Sequence, residues 1–273
     1  MTTKNNHSEL IKKLTEGISN LTTSEQWQHY LTFQSRFHRY SFGNVLLIAA
    51  QCREATQVAG FNTWRKMKRF VRKGEKAIWV LAPMVYKESN SEEGESERAV
   101  CVVRGFKFVP VFDVTQTDGE DIPEICSRLD GDDPAEHYAT LLRVARSIGF
   151  TVEDHEFAGS TNGDCCHRQH LIRVESRNTP AQRVKTLAHE LAHALLHERF
   201  DSRAQAELEA ESTAYVVCQA LGVDSGGYSF GYVATWAGGG ERAISRIKAS
   251  CERIQKAAAT ILAAFEPTAH RGP

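Results

Sequence analysis

Apolar residues recur at helical spacing in the segment that follows Thr179. Val184, Leu187, Leu191 and Leu195 are separated by three or four positions, which is the pattern of a helix with one buried face. Thr179 supplies a capping hydroxyl, and it is followed by proline at the first helical position and by glutamine three residues after the cap. The pattern therefore predicts a helix that begins at about residue 180.

Other segments divide between helical and strand patterns. Helical spacing is present in residues 10–21, 25–40, 42–55, 134–148 and 204–221. Apolar alternation typical of strands is present in residues 77–86, 100–114 and 170–174. The mixture predicts an α+β protein. We expect residues 170–174 to form an edge strand beside the helix predicted from residue 180, where an extended peptide could pair with it.

Charge is divided unevenly along the chain. Residues 1–114 contain 17 Lys and Arg against 11 Asp and Glu, a net charge of +6, whereas residues 115–273 contain 16 against 23, a net charge of −7. A stretch rich in Asp, Gly and Pro follows this change and ends near residue 134, as a linker would. We therefore predict two domains, over residues 8–120 and 134–265, that face different partners.

Composition favours a cytoplasmic protein. Hydrophobic residues make up 41% of the 273 residues, which is enough for two packed cores. No apolar run approaches the roughly 18 residues that a membrane span needs, and the N-terminal residues are polar. The seven cysteines are scattered without a C-x-x-C pair, which indicates reduced thiols. We expect a cytoplasmic localisation and no membrane partner.

Residues 189–193 read H-E-L-A-H and lie inside the helix predicted from residue 180. Histidines four residues apart project from one helix face, so both imidazoles can bind one divalent metal ion. We predict that His189 and His193 are metal ligands. Glu190 would be the catalytic base, which takes a proton from a water molecule as it attacks a peptide carbonyl. This is the arrangement of a zinc hydrolase.

A catalytic zinc site usually has three protein ligands, so one more is required. Glu207 and Glu211 share a face of the next predicted helix, and the run E-L-E-A-E that they bound resembles the glutamate-zincin pattern. That resemblance implies that Glu207 binds the metal and that Glu211 orients a ligating histidine. We expect Glu209 to face solvent. His197 is eight residues from His189, about 12 Å along the helix axis, so we expect it to be exposed or capping rather than a ligand.

A strongly basic segment (Arg65–Lys76) lies in the N-terminal part of the chain, where seven cations accompany one anion. Aromatic residues lie among or beside these cations: Phe61, Trp64, Phe70 and Trp79. Cations among aromatic rings favour single-stranded nucleic acid, which binds through phosphate contacts and base stacking. The alternative is a solvated amphipathic segment whose aromatic rings fill the core.

Short motifs are dispersed in order over the first 120 residues. They are Y-S-F-G-N-V-L-L from Tyr40, G-F from Gly60, T-W from Thr63, V-R-K-G-E-K from Val71 and V-F-D-V-T-Q-T from Val111. This ordered set resembles the N-terminal single-stranded-DNA-binding domain of the ArdC antirestriction family. The C-terminal part is similar to the zinc-peptidase domain of that family and of the ImmA/IrrE group, through H-E-L-A-H and E-L-E-A-E.

The resemblance implies a protein of a plasmid or another mobile element, with an α+β single-stranded-DNA-binding domain followed by a zincin-like metallopeptidase domain. Candidate DNA-binding residues are Tyr40, Asn44, Trp64, Lys66, Arg72, Lys73 and Lys76. Zn²⁺ is the expected metal, with Mn²⁺ as the alternative. Tyr228 or Tyr232 could supply a further oxyanion donor, and the alternative for either is a packed tyrosine. The rival hypothesis is a non-enzymatic antirestriction protein that coats single-stranded DNA and has a structural metal site.

Overall fold

The computed structural model describes residues 2–19, 21, 23–89, 99–120, 134–224 and 240–266. The candidate oxyanion donors Tyr228 and Tyr232, and most of the predicted linker before residue 134, lie outside the described residues. The predicted two-domain α+β class is confirmed. The chain forms two compact units. The first unit comprises Met1–Thr15 and Gly43–Asp121, and the second comprises Glu16–Phe42 and Ile122–Pro273.

Helices and strands alternate irregularly along the described residues. The helices are α1 (Thr2–Ser19), α2 (Ser24–Arg36), α3 (Phe42–Gln51), α4 (Phe61–Lys66), α5 (Pro134–Ser147), α6 (Pro180–Leu196), α7 (Arg203–Ala220) and α8 (Gly240–Leu262). The strands are β1 (Val58–Ala59), β2 (Arg69–Val71), β3 (Ile78–Ser89), β4 (Ala99–Asp113), β5 (Thr117–Gly119), β6 (Thr151–His155), β7 (Gly163–Cys166) and β8 (Leu171–Glu175). In these ranges no helix is both long and apolar enough to span a membrane.

The first unit contains a long antiparallel hairpin of β3 and β4, with β1 paired to the other edge of β4. The side-chain amide of Asn44 on α3 donates to the Leu81 carbonyl and accepts from the Leu81 N–H, both at 2.8 Å. Two turns later on α3, Gln51 makes the same pair of bonds with Trp79, at 2.9 and 3.0 Å. These amides satisfy the edge of β3 that faces away from β4 and protect it from pairing with another chain.

Trp64 lies in the core of the first unit. Its side chain is 2% exposed, and its indole N–H donates to the Phe112 carbonyl at 2.9 Å. The neighbouring Asp113 is buried and accepts hydrogen bonds from the backbone N–H groups of Thr56 and Thr115. The indole therefore has the core role that the sequence left open as the alternative to base stacking.

The short strand β2, which lies within the basic segment, pairs antiparallel with β5. Gly119 pairs with Arg69 and has a φ of +143°. A Cβ atom at this position would lie 2.3 Å from the Lys68 carbonyl oxygen. Glycine is therefore required for the two backbones to approach this closely.

The sheet of the second unit has the order β6-β8-β7, with β6 parallel and β7 antiparallel to β8. The expected edge strand near residues 170–174 is therefore wrong, because β8 is central in this sheet. Both β7 and β8 contact α6. On β7, a Cβ atom on Gly163 would lie 2.6 Å from the Thr186 methyl and 3.0 Å from Glu190 Oε1. Glycine thus lets β7 lie directly against the face of α6 that carries Glu190.

Helix α6 begins as predicted, with Pro180 in its first turn and the Thr179 hydroxyl accepting from the Gln182 N–H. It packs against α5, α7 and α8 of the same unit. Helix α2, from the N-terminal part of the chain, also belongs to the second unit. The Trp27 indole, which is fully buried, donates to the Ser212 hydroxyl on α7 at 2.9 Å.

The compact units therefore divide the chain differently from the limits predicted for the two domains. The segment Glu16–Phe42 clusters with the second unit, although it lies inside the predicted domain 8–120. In the sequence, residues 43–121 lie between this segment and the rest of the second unit. The predicted limits 8–120 and 134–265 stay predictions.

Candidate metal centre

Three predicted ligands meet between α6 and α7. The Nε2 atoms of His189 and His193 are 3.1 Å apart, and Glu207 Oε2 lies 3.5 Å from the first and 3.7 Å from the second. Ligands of a tetrahedral zinc ion with bonds of about 2.0 to 2.1 Å are separated by about 3.3 Å. The donor atoms therefore fit a single metal ion. Within the described ranges, these three residues form the group of histidine, cysteine and acidic side chains that could hold a metal ion.

Glu211 and Lys185 hold the ring of His189. The Nδ1 atom of His189 lies 3.2 Å from Glu211 Oε2, and Lys185 Nζ lies 3.1 Å from Glu211 Oε1. Burial alone would raise the pKa of Glu211, but His189 and Lys185 lower it, so the carboxyl is an anion. An anion at Nδ1 keeps the proton on that nitrogen, which leaves Nε2 directed at the metal position. Glu211 therefore lies where the sequence resemblance implied an orienting residue.

His197 and Glu209 are buried, in contrast to the expectation from the sequence. His197 is 5% exposed and Glu209 is 1% exposed. His197 does cap the C-terminus of α6, with its backbone N–H donating to the His193 carbonyl. Its ring, however, lies 3.0 Å from His193 Nδ1 and 3.2 Å from Glu209 Oε2. The expected solvent-facing Glu209 was wrong because α8 covers that side of α7.

Glu190 is buried beside the cluster, on the same helix as both histidines. Burial raises the pKa of its carboxyl to about 7; His189 opposes this rise, while Asp164 and Glu207 add to it. Burial lowers the pKa of His189, but hydrogen bonds to Glu207 and Glu211 outweigh that effect and raise it to about 9. The site thus combines a cluster of donor atoms with the buried carboxyl group of Glu190. Strand β7 packs against this carboxyl group.

The predicted DNA-binding residues divide by exposure. Lys66, Arg72, Lys73 and Lys76 are exposed, Asn44 and Trp64 are buried in the first unit, and Tyr40 is half-buried in the second unit. The guanidinium of Arg72 donates to Glu75 at 2.9 Å and to Asp118 at 3.2 Å. These bonds connect Arg72 to the turn between β2 and β3 and to β5, although its side chain stays 43% exposed.

Exposed aromatic rings in the first unit were only partly recognised from the sequence. Phe61 and Phe70 beside the basic lysines are 48% and 58% exposed. On the β3–β4 hairpin, Tyr86 and Phe106 are also exposed, and the Arg104 guanidinium lies 5.5 Å from the centre of the Tyr86 ring. No sequence signal separates these rings from Trp64, because the spacing of apolar residues in a helix or a strand does not show which face a neighbouring element covers.

An H-E-x-x-H helix joined by a carboxylate from the following helix places the second unit among metallopeptidase-like domains. The family models agree, because residues 147–220 match the IrrE N-terminal-like domain. Residues 3–112 match the N-terminal domain of anti-restriction factor ArdC. The chain therefore combines an ArdC-like N-terminal domain with an IrrE-like domain.

Similarity to other proteins extends over most of this chain. An uncharacterized protein of Bacillus anthracis, pXO2-81, is 26% identical over 92% of this chain, and the chain spans about half of its length, 49%. The metal-free structure of the antirestriction ArdC protein from the R388 plasmid is 22% identical, with a TM-score of 0.48 over 82% of this chain and 84% of that chain. Its Mn(II)-bound structure is 19% identical, with a TM-score of 0.46 over 89% of this chain and 99% of that chain.

Proposed function

We propose that the chain is a single-stranded-DNA-binding, metal-dependent peptidase of the ArdC antirestriction type. The observation that carries this proposal is the meeting of His189, His193 and Glu207 beside the buried Glu190. The match to an IrrE-like domain supports it. Zn²⁺ suits the two imidazoles and one carboxylate, and Mn²⁺ is the alternative.

The residues around the centre suit peptide hydrolysis. A metal ion held there would supply Lewis acidity. Glu190 accepts the proton of the attacking water and passes it to the leaving amine, because a carboxyl with a pKa near neutrality can do both. In the described sheet β7 is paired along one edge only, and it lies against Glu190. An extended peptide that adds to the other edge of β7 would bring its backbone to the metal centre.

Glu190→Gln is expected to retain the metal and lose hydrolysis. The substitution removes the proton acceptor without removing a ligand, so we expect about one ion per chain and a rate lower by roughly 10²- to 10⁴-fold. Metal content is measured by elemental analysis, and hydrolysis is followed on an unfolded protein with Zn²⁺ or Mn²⁺, with and without single-stranded DNA. Glu198→Gln, an exposed carboxylate just after α6, is the matched control.

The same experiment separates the peptidase from the rival hypothesis. A structural zinc site is normally closed by four protein ligands. The described residues bring three donor atoms to this point, which supports a catalytic site. A wild-type protein that binds metal stoichiometrically but cleaves nothing faster than Glu190→Gln would instead favour DNA coating without proteolysis.

We propose that single-stranded DNA binds the first unit at Phe61, Phe70, Lys66, Lys73 and Lys76. The match of residues 3–112 to the ArdC N-terminal domain supports this partner. Both phenylalanine rings and all three lysines are exposed, so bases can stack on the rings while phosphates contact the ammonium groups. Trp64 is left out of this surface because its indole is buried.

Phe70→Ala is expected to weaken binding of a single-stranded oligonucleotide by roughly 1 to 3 kcal/mol with an unchanged salt dependence, because stacking releases no counterions. Replacing Lys66, Lys73 or Lys76 should instead flatten the salt dependence by about 0.7 for each phosphate that the protein no longer neutralises. Fluorescence anisotropy over a salt series on the full chain measures both. Phe200→Ala, a ring that is 56% exposed in the second unit, is the control and should bind as the wild type does. Salt-independent binding by the wild type would contradict the proposal.

A further inference from the structure

A buried line of polar side chains leads from the metal centre to α8. It starts at His193 Nδ1, which is 3.0 Å from His197 Nδ1. His197 Nε2 is 3.2 Å from Glu209 Oε2 on α7. Glu209 in turn receives two hydrogen bonds from Arg253 on α8, at 2.9 Å from Nε and 2.5 Å from Nη2. Three helices thus contribute consecutive links.

The position of each proton along this line follows from the chemistry of its two ends, which are the Arg253 guanidinium and the metal position. The Arg253 guanidinium can only donate, and an ionised carboxylate can only accept. His197 Nε2 must therefore donate to Glu209. At the other end, His193 can bind a metal ion through Nε2 only if the proton of its ring is on Nδ1, and this proton fills the 3.0 Å gap by donating to His197 Nδ1. His193 Nε2, which faces Glu207, is left with its lone pair directed at the metal position.

The carboxylate of Glu209 is held more firmly than this ordering alone requires. Besides Arg253 and His197, Glu209 Oε1 accepts from the Ser250 hydroxyl at 2.6 Å and from the Gln205 amide at 2.9 Å. Hydrogen bonds from all four side chains outweigh burial and lower the pKa of Glu209 to about 2. The ion pair of the buried Glu209 with the partly exposed Arg253 is weak evidence for stability, since apolar residues of similar volume often serve a core equally well. A role in positioning His193 accounts for this network of hydrogen bonds around Glu209.

We propose that His197, Glu209 and Arg253 act as positioning residues that fix the tautomer and orientation of His193 for metal binding. His189 reaches the same state through a single carboxylate, Glu211. His193 reaches it through a second imidazole, which lets α8 contribute to the metal centre without touching the metal. The inference rests on the proposed metal site and is independent of whether the protein cleaves peptides.

Two substitutions at His197 test this positioning role in the whole chain. His197→Leu keeps the buried volume but offers no acceptor to His193 Nδ1, so metal affinity should fall about 10- to 100-fold, as when other partners of metal ligands are removed. His197→Asn places a carbonyl oxygen near the position of Nδ1 and should stay within about threefold of the wild type. Competition with a chelator measures Zn²⁺ and Mn²⁺ affinity. Glu198→Gln, an exposed carboxylate next to His197 in the chain, is the control.

The protonation pattern gives a second readout that a merely structural role would not fix. Nitrogen NMR of histidine-labelled wild-type protein should show His197 with its proton on Nε2 and His193 with its proton on Nδ1. Signals are assigned to His197 by their loss in His197→Asn. A His197 ring with its proton on Nδ1, or a folded His197→Leu protein with wild-type metal affinity, would overturn the proposed positioning role. A wild-type protein that binds no metal would defeat the proposed function, while the NMR pattern would still decide the ordering.

Discussion

Replacing His193 by alanine is expected to reduce the bound metal from about one ion per chain to an undetectable amount. The three donor atoms that meet at the site all lie within 4.8 Å of one another, and a pair of them cannot complete a site that requires three protein ligands. His189→Ala should have the same effect. Elemental analysis of protein loaded with Zn²⁺ or Mn²⁺ and freed of excess ion measures it.

The two glutamates on α7 provide a graded control for this prediction. Glu207→Ala removes a ligand and should lose most of the affinity, whereas Glu211→Ala removes a partner of His189 and should cost about 10- to 100-fold at most. Full occupancy in either histidine variant would contradict the site. The reverse order of the glutamates in a chelator competition would show that Glu211 is the ligand.

Trp27→Ala is expected to cause the largest loss of stability, roughly 3 to 5 kcal/mol in the free energy of unfolding. The indole is fully buried against α7, and its removal also leaves the buried Ser212 hydroxyl without its donor. Urea denaturation of the full chain measures the loss. His29→Ala, with a side chain that is 77% exposed on the same helix, should change stability by about 0.5 kcal/mol or less. Equal effects of the two substitutions would show that α2 does not pack on α7.

The parts of the structure that the sequence predicts are those decided by local chemistry. The cap at Thr179 and the spacing of His189 and His193 depend only on residues within one helix, and the structure has both. The ordered N-terminal motifs predicted an ArdC-like domain, which the match of residues 3–112 confirms. The third donor, Glu207, required a second helix, and only a resemblance to a known pattern connected the two.

The parts that the sequence did not predict depend on which elements become neighbours. Alternation in β8 is the same whether that strand is central or at an edge, so the position of β7 beside Glu190 could not be derived from it. Glu209 has the surroundings of a surface residue on α7 until Arg253 on α8 covers it. The apparent exposure of an acidic residue on a helix therefore says little until the helices that pack on it are known.

The early position of Trp27 in the chain constrains the order of folding. Its partner Ser212 is 185 residues further along, whereas the contacts of the first unit are complete by Asp121. During synthesis on the ribosome the first unit can therefore reach its native state while α2 still lacks its binding surface. The metal centre, which is formed by α6 and α7, is assembled later. A ribosome-bound chain that ends shortly after Asp121 should thus present the folded first unit before any site for metal exists.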